Sequence, residues 1–218
     1  QLVIAIDIPS GMFTDSSSKN LVRITATHTL SFEAPKLAFM FAENECSTGE
    51  VHILSIGLSR SFAGTQASPF ETVEPSFIQS LHRPRSRFAH KGNFGHALLV
   101  AGSHGMLGAA VLAANAALRS GLGKLTCLVP GCGYEIMQAT APEALCITAG
   151  RDFIEGSIPD CSCYSAVGIG PGLGRNTETQ LWLLSCLQRA KSPLVMDADA
   201  LNIISDFHQW MQHVPQYC

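Results

Sequence analysis

The sequence predicts an α/β protein built on parallel sheets with helices on both faces, and three observations carry that prediction. Short apolar runs at residues 97–101, 125–129, 166–169 and 194–196 alternate with stretches of helical periodicity. Each run is apolar at nearly every position and not merely at every second one, as a strand buried on both faces must be. The chain has 218 residues with 46% hydrophobic and only 14% charged, below the ~25% charged usual for soluble domains, so much of it must be buried.

Taken in order, residues 2–8, 25–32 and 51–56 read as strands separated by turn-rich stretches such as Asp15-Ser16-Ser17-Ser18. From Ser59 to Pro75 the apolar pattern dissolves into Ser, Gly, Thr, Gln and Pro, as at a linker or a domain edge. Residues 75–81 then form a short helix: Pro75 suits a first helical position, and Phe77, Ile78 and Leu81 make a stripe. Arg83-Pro84-Arg85-Ser86-Arg87 reads as a solvated connector. Beyond it, strand 97–101 leads to an Ala-rich helix at 107–120 ended by Gly121, and strand 125–129 is closed by Pro130. Helix 134–139, strand 166–169, helix 178–189 and strand 194–196 follow, with a last helix starting at Asp199. This pattern predicts four strands in the second sheet. A thin sheet, a first residue that is not Met and a start inside a core strand lead us to expect a chain incomplete at both ends.

Composition narrows the function classes. With 14 Lys+Arg against 17 Asp+Glu, the net charge of −3 offers no footprint for nucleic acid and no polybasic anchor for membranes, so small molecules are the expected partners. No apolar run reaches the ~18 residues that a membrane span needs, so a soluble protein is expected. The eight cysteines are scattered along the chain and read mostly as buried free thiols. Cys161, Cys163 and Cys132 lack a second metal-spaced pair with nearby histidines, so no cysteine-based zinc site is expected.

Five constellations stand where chemistry is expected, at strand ends and tight turns. Asp7-Ile8-Pro9-Ser10-Gly11 follows the first strand, where a carboxylate and a hydroxyl can meet a ligand; Asp7 reads equally as a turn cap. Gly102-Ser103-His104-Gly105-Met106-Leu107-Gly108-Ala109 joins a strand to a helix, and the N–H groups of that helix start would attract an anionic or carbonyl-rich ligand. It is neither a Walker A loop nor a dinucleotide fingerprint. Gly168, Gly170, Gly172 and Gly174 line a third turn, followed by Arg175 as a phosphate candidate. In Asp197-Ala198-Asp199, Asp197 is the functional candidate and Asp199 reads as a helix N-cap. His90, Lys91 and His96 group around a fifth turn before a strand.

In sequence order these motifs are more specific than any one alone. Asp7-Ile8-Pro9-Ser10-Gly11, Thr29-Leu30-Ser31-Phe32-Glu33-Ala34-Pro35-Lys36, Gly49-Glu50-Val51 and Ile56-Gly57-Leu58 resemble the closing part of an NAD(P)H-hydrate epimerase domain. His90-Lys91-Gly92-Asn93-Phe94-Gly95-His96, Ala101-Gly102-Ser103, Gly108-Ala109-Ala110, Arg119-Ser120-Gly121-Leu122-Gly123, Gly170-Pro171-Gly172-Leu173-Gly174 and Asp197-Ala198-Asp199-Ala200-Leu201 resemble the opening half of an ADP-dependent NAD(P)H-hydrate dehydratase domain. Together they resemble the bifunctional NAD(P)H-hydrate repair family. The resemblance implies the C-terminal remnant of a Rossmann-like epimerase domain at residues 1–66, a linker at 67–84, and the first half of a ribokinase-like three-layer αβα domain at 85–218.

The implied chemistry is repair of NADH or NADPH hydrated at C6 of the nicotinamide. One domain epimerises the R and S forms, and the other dehydrates the S form with ADP, giving AMP, phosphate and NAD(P)H. The resemblance carries Asp7, Gly108, Ala109 and Gly170 over as substrate-contacting positions and Ser10 as a potassium (K+) ligand of the epimerase. Mg2+ is a further candidate ion, and the dehydratase's catalytic aspartate is expected beyond residue 218. It also implies a cytoplasmic enzyme, a homo-oligomer when intact, with no nucleic-acid or membrane partner. Two other readings stand beside this one: a ribokinase-like small-molecule kinase, and a nucleotide-binding fragment without turnover.

Overall fold

The computed structural model describes residues 1–63, 65–66, 68–216 and 218. They form two compact units, Gln1–Arg83 and Pro84–Cys218. Among the described residues no helix is long and apolar enough to cross a membrane.

The first unit is a three-stranded parallel sheet in the order β1 (Ile4–Ile6), β2 (His28–Phe32), β3 (Glu50–Leu54). All three expected strands form, but shorter than their apolar runs. β1 stops because Asp7 adopts a φ of 66°, outside the strand region. On β2 the side chains alternate: Thr29 and Ser31 are buried on one face, and His28, Leu30 and Phe32 are half-buried on the other. The buried Thr29 hydroxyl donates to the Thr48 carbonyl at 2.7 Å, tying β2 to the short helix α1 (Glu45–Thr48) that feeds β3. The stretch expected to be featureless holds one helical turn, α2 (Arg60–Ala63). Ala67, the first residue of the expected linker, lies outside the described residues, as do Gly64 and Tyr217. Helix α3 (Pro75–Leu81) begins at Pro75 as expected, but its stripe of Phe77, Ile78 and Leu81 is exposed and not packed into a core.

The second unit is a five-stranded, all-parallel sheet in the order β6-β5-β4-β7-β8. The strands are β4 (His96–Val100), β5 (Lys124–Val129), β6 (Leu145–Thr148), β7 (Ala166–Ile169) and β8 (Leu194–Met196). The expected count of four missed β6, an edge strand of four residues with mostly exposed side chains, although Ala144-Leu145-Cys146-Ile147 is a short apolar run. Alternation along β4 builds the three layers. Leu98 and Val100 enter a core with Val167, Ile169, Leu183 and Ile203, beneath α6 (Thr177–Arg189) and α7 (Asp199–Asp206). Leu99 and Ala101 enter the opposite core with Leu125, Cys127, Val129 and Met137, beneath α4 (Leu107–Arg119) and α5 (Tyr134–Thr140).

The cysteines are free, but only Cys127 and Cys186 are buried; Cys46, Cys163 and Cys218 are exposed and the other three intermediate. Burial pushes the thiol pKa of Cys127 and Cys186 up to about 12, so both act as small apolar side chains and not as nucleophiles. The basic run 83–87 is not wholly solvated: Arg85 lies 4.2 Å over the Phe94 ring and donates to the Gly121 carbonyl at 2.7 Å.

Neighbouring leucines on α6 give a test of this layering. Leu183 is fully buried and Leu181 is 56% exposed. Urea unfolding is expected to show a loss of about 3 kcal/mol for Leu183→Ala and under about 0.5 kcal/mol for Leu181→Ala.

Candidate active site at a strand-order reversal

After β4 the chain moves to β5 and β6 on one side and then returns to place β7 and β8 on the other. The strand order therefore reverses between β4 and β7, and the crevice outside their carboxyl ends is where an open parallel sheet accepts a ligand. Three glycine- or aspartate-bearing turns noted in the sequence meet there. The turn after β4 is tied to the turn after β7 by Gly102 N–H donating to the Pro171 carbonyl and by the Ser103 hydroxyl donating to the Gly172 carbonyl, both at 2.9 Å. The turn after β8 joins them when Gly174 N–H donates to Asp199 Oδ2 at 2.9 Å. A fourth segment braces the first: His104 N–H donates to the Asp152 carbonyl at 2.6 Å.

Two glycines are required by this contact. Gly170 has a φ of 135°, and a Cβ there would overlap the Asp197 carbonyl; Gly172 has a φ of 62°, and its Cβ would lie 2.5 Å from the Met106 carbonyl. Gly108 differs, standing in the first turn of α4 with open space where a Cβ would be. Ala109 is half-buried next to it, against Gly172. Met106 at the N-cap of α4 supplies no side-chain hydrogen bond, and within that turn Ala109 N–H donates back to the Met106 carbonyl at 3.3 Å.

Several expected residues take other places. Asp199 is not the N-cap of α7: Ala198 holds that position with φ 47° and ψ −117°, which frees the Asp199 carboxylate to accept from Gly174 N–H and from Asn202 Nδ2. Asp197 is exposed at the end of β8. Arg175 is ion-paired with Asp206. His90 caps a 3-10 turn at Lys91–Phe94, its Nδ1 accepting from Gly92 N–H at 3.1 Å, while Lys91 is exposed at the start of that turn. His96 lies 2.8 Å from the Thr126 hydroxyl and edge-on to Tyr164; burial, and then the nearby Lys124, hold its pKa below the usual range. Both histidines are thus engaged within the scaffold. A cavity of about 600 Å³ lined by Ile158, Cys161, Cys186 and Lys191 lies at the amino ends of β7 and β8, away from the crevice.

In the first unit Asp7 takes a place at the end of β1. Its Oδ1 accepts from Lys36 Nζ at 2.6 Å, from the Ser31 hydroxyl at 3.2 Å and from Phe32 N–H at 3.3 Å. The Lys36 ammonium is the main cause of an Asp7 pKa below the ordinary aspartate value, against an opposing push from burial. Lys36 is a site residue that the motif's strand-end logic did not single out. The signal was present, because parallel neighbours end side by side and Lys36 follows β2. Glu33 is a second such residue. Its carboxylate accepts from Leu58 N–H, Ile56 N–H and the Ser55 hydroxyl, which lowers its pKa and orders the loop after β3. A cavity of about 640 Å³ lies beside them, lined by Phe32, Glu33, Lys36, Leu37 and Phe70. Ser10 is exposed, with its carbonyl accepting from Ile24 N–H at 3.0 Å.

Comparison with known proteins bears directly on this arrangement. Residues 97–216, more than half of the chain and the part that contains all three crevice turns, match the family described as NAD(P)H-hydrate dehydratase. The chain belongs to the NAD(P)H-hydrate dehydratase family. Residues 1–38 match a second family, YjeF-related protein N-terminus. The bifunctional NAD(P)H-hydrate repair enzyme Nnr of Coxiella burnetii is 33% identical over 207 residues, which is 94% of this chain and 42% of that protein. The enzyme of the same name from Moorella thermoacetica is 32% identical over 210 residues, 93% of this chain and 40% of that protein. The chain thus spans about two fifths of the length of these curated relatives. A ribokinase-like superfamily protein from Enterococcus faecalis V583 shares the fold, with a TM-score of 0.54 at 21% identity over 62% of this chain and 48% of that one. The α/β expectation and the ribokinase-like character of the second unit are borne out.

The Asp7–Lys36 pair makes a pH-dependent prediction. Because the folded-state pKa of Asp7 is lowered, its contribution to stability is present above the ordinary value of about 3.9 and is lost as pH falls through the lowered value. Carboxyl NMR titration should place Asp7 below the ordinary value in the native sequence and higher in Lys36→Met, where burial acts without the ammonium.

Proposed function

We propose that this chain is the substrate-facing part of a nicotinamide-nucleotide repair enzyme. Its second unit supplies the loops for ADP-dependent dehydration of (6S)-NAD(P)HX to NAD(P)H, and its first unit supplies the end of the epimerase that interconverts the R and S forms. The observation that carries the reading is the convergence of the turns after β4, β7 and β8 on one crevice, within the segment that matches the dehydratase family.

Dehydration requires that the C6 hydroxyl become a leaving group and that a proton leave C5. In the proposed sequence the β-phosphoryl of ADP passes to the C6 oxygen as AMP departs; phosphate then leaves C6 as a base takes the C5 proton. The described residues contribute positioning and electrostatics. Gly170 and Gly172 let the three turns close on one another, and Gly108, with open space where a Cβ would be, stands with Ala109 on the turn offered to the nicotinamide. The uncapped N–H groups of the first turn of α4 meet the negative charge that develops as the phosphoryl group is carried. Asp197, an exposed oxygen donor at the same strand ends, is the residue suited to a Mg2+ ion accompanying the nucleotide.

In the first unit Asp7, oriented by Lys36, is the substrate-contacting carboxylate. A potassium ion is held by a shell of oxygens; exposed Ser10 is the residue of this turn that would lend one, while Asp7 Oδ1 is occupied by the Lys36 ammonium.

Gly108 separates ligand binding from folding, because a Cβ there meets no protein atom within 4 Å. By calorimetry the chain should bind (6S)-NADHX, and Gly108→Ala should bind it equally while gaining up to about 1 kcal/mol of stability from better helix propensity. Gly108→Phe should fold but bind at least about tenfold more weakly, a loss of ~1.4 kcal/mol. Unchanged binding by Gly108→Phe would place the ligand elsewhere and defeat the reading.

A further inference from the structure

Parallel pairing of β2 and β3 sets His28 opposite Glu50 and Leu30 opposite His52. Successive side chains on a strand point to opposite faces, so Glu50 and His52 share a face of β3, and His28 joins them from β2. The result is a compact donor set. His28 Nδ1 lies 3.2 Å from His52 Nε2 and 3.6 Å from one Glu50 carboxylate oxygen, and His52 Nε2 lies 3.7 Å from the other. The set opens to solvent: His28 and His52 are half-buried and Glu50 is exposed.

These separations match what a metal ion needs. Zinc bonds of about 2.0–2.1 Å to imidazole nitrogen and carboxylate oxygen in a tetrahedral array place neighbouring donors about 3.4 Å apart. His28 Nδ1 and His52 Nε2 stand within hydrogen-bond distance of each other beside the carboxylate, so that a shared proton, or a cation in its place, bridges them. The donor chemistry, two imidazoles and one carboxylate, suits ions of the zinc class and not the all-oxygen shells of calcium or magnesium. The cluster sits where β2 and β3 begin, at the opposite end of the strands from Asp7, so it lies outside the proposed substrate site of this unit.

We propose that His28, Glu50 and His52 form a binding site for a divalent transition-metal cation of the zinc class, with a fourth position open to water, that clips the start of β2 to the start of β3.

Cobalt(II) serves as the spectroscopic probe and zinc(II) as the competitor, both with the 218-residue chain at neutral pH after its exposed thiols, Cys46, Cys163 and Cys218, have been alkylated. The expected result is one equivalent of cobalt giving the intense visible bands of a tetrahedral nitrogen–oxygen site, displaced by zinc. Those bands should be lost in His28→Gln and His52→Gln and weakened in Glu50→Gln, whose exposed position keeps the fold safe; circular dichroism checks all three. Zinc should also raise the melting temperature of the native chain and not that of the two histidine variants. Absence of the bands, or bands that persist unchanged in all three variants, would overturn the proposal.

Discussion

Leu98 and Val100 point into one apolar layer of the second unit while Leu99 and Ala101 point into the other, so β4 has to lie inside a sheet with helices on both sides. Much of the unit's architecture is settled by that constraint. A strand buried on both faces sits between neighbours on both edges, here the parallel strands β5 and β7; the crossover from β4 to β5 lays α4 on one face, and the step from β7 to β8 lays α6 on the other. Because β4 comes first in the chain and ends up central, the strand order must reverse beside it. The crevice at its carboxyl end is thus a consequence of the same apolar alternation that builds the core, and the turns after β4, β7 and β8 have no other place to meet.

The glycines complete the link from packing to function. Backbone hydrogen bonds between turns, Gly102 to Pro171 and Gly174 to Asp199, bring the segments close enough that side chains at Gly170 and Gly172 would strike their neighbours. The surface left is mostly main chain, stiffened by its own hydrogen bonds. Such a surface offers shape and amide dipoles, the features that the proposed nucleotide substrate would use.

The elements that were legible in the sequence are those whose signal is local. Helix α3 starts at Pro75 and strands β7 and β8 run Ala166–Ile169 and Leu194–Met196, as pattern alone predicts. Gly170 and Asp197 likewise stood out because glycine runs and strand-end carboxylates are visible one at a time. What was hidden depends on contacts between distant residues. Edge strand β6 is only four residues long, and its short apolar run Leu145-Cys146-Ile147 does not by itself tell strand from helix or loop. Asp199 looked like a cap because nothing nearby shows that Gly174, 25 residues earlier, claims its carboxylate. Lys36 became visible as the partner of Asp7 only once β1 and β2 were known to be parallel neighbours, and the grouping of His28 with Glu50 and His52 needed the register of β2 on β3. Motif order carried what single motifs could not, since the crevice turns fall in the segment shared with the dehydratase family.

Backbone amide NMR of the isotopically labelled chain, titrated with (6S)-NADHX, tests most directly whether one crevice at the carboxyl ends of β4, β7 and β8 receives the hydrated nicotinamide nucleotide. Shifts are expected to concentrate in the turns at residues 102–109, 170–174 and 197–199. Shifts that spare those turns and gather at the Ile158–Lys191 cavity, or a titration that moves no amide at all, would contradict that assignment.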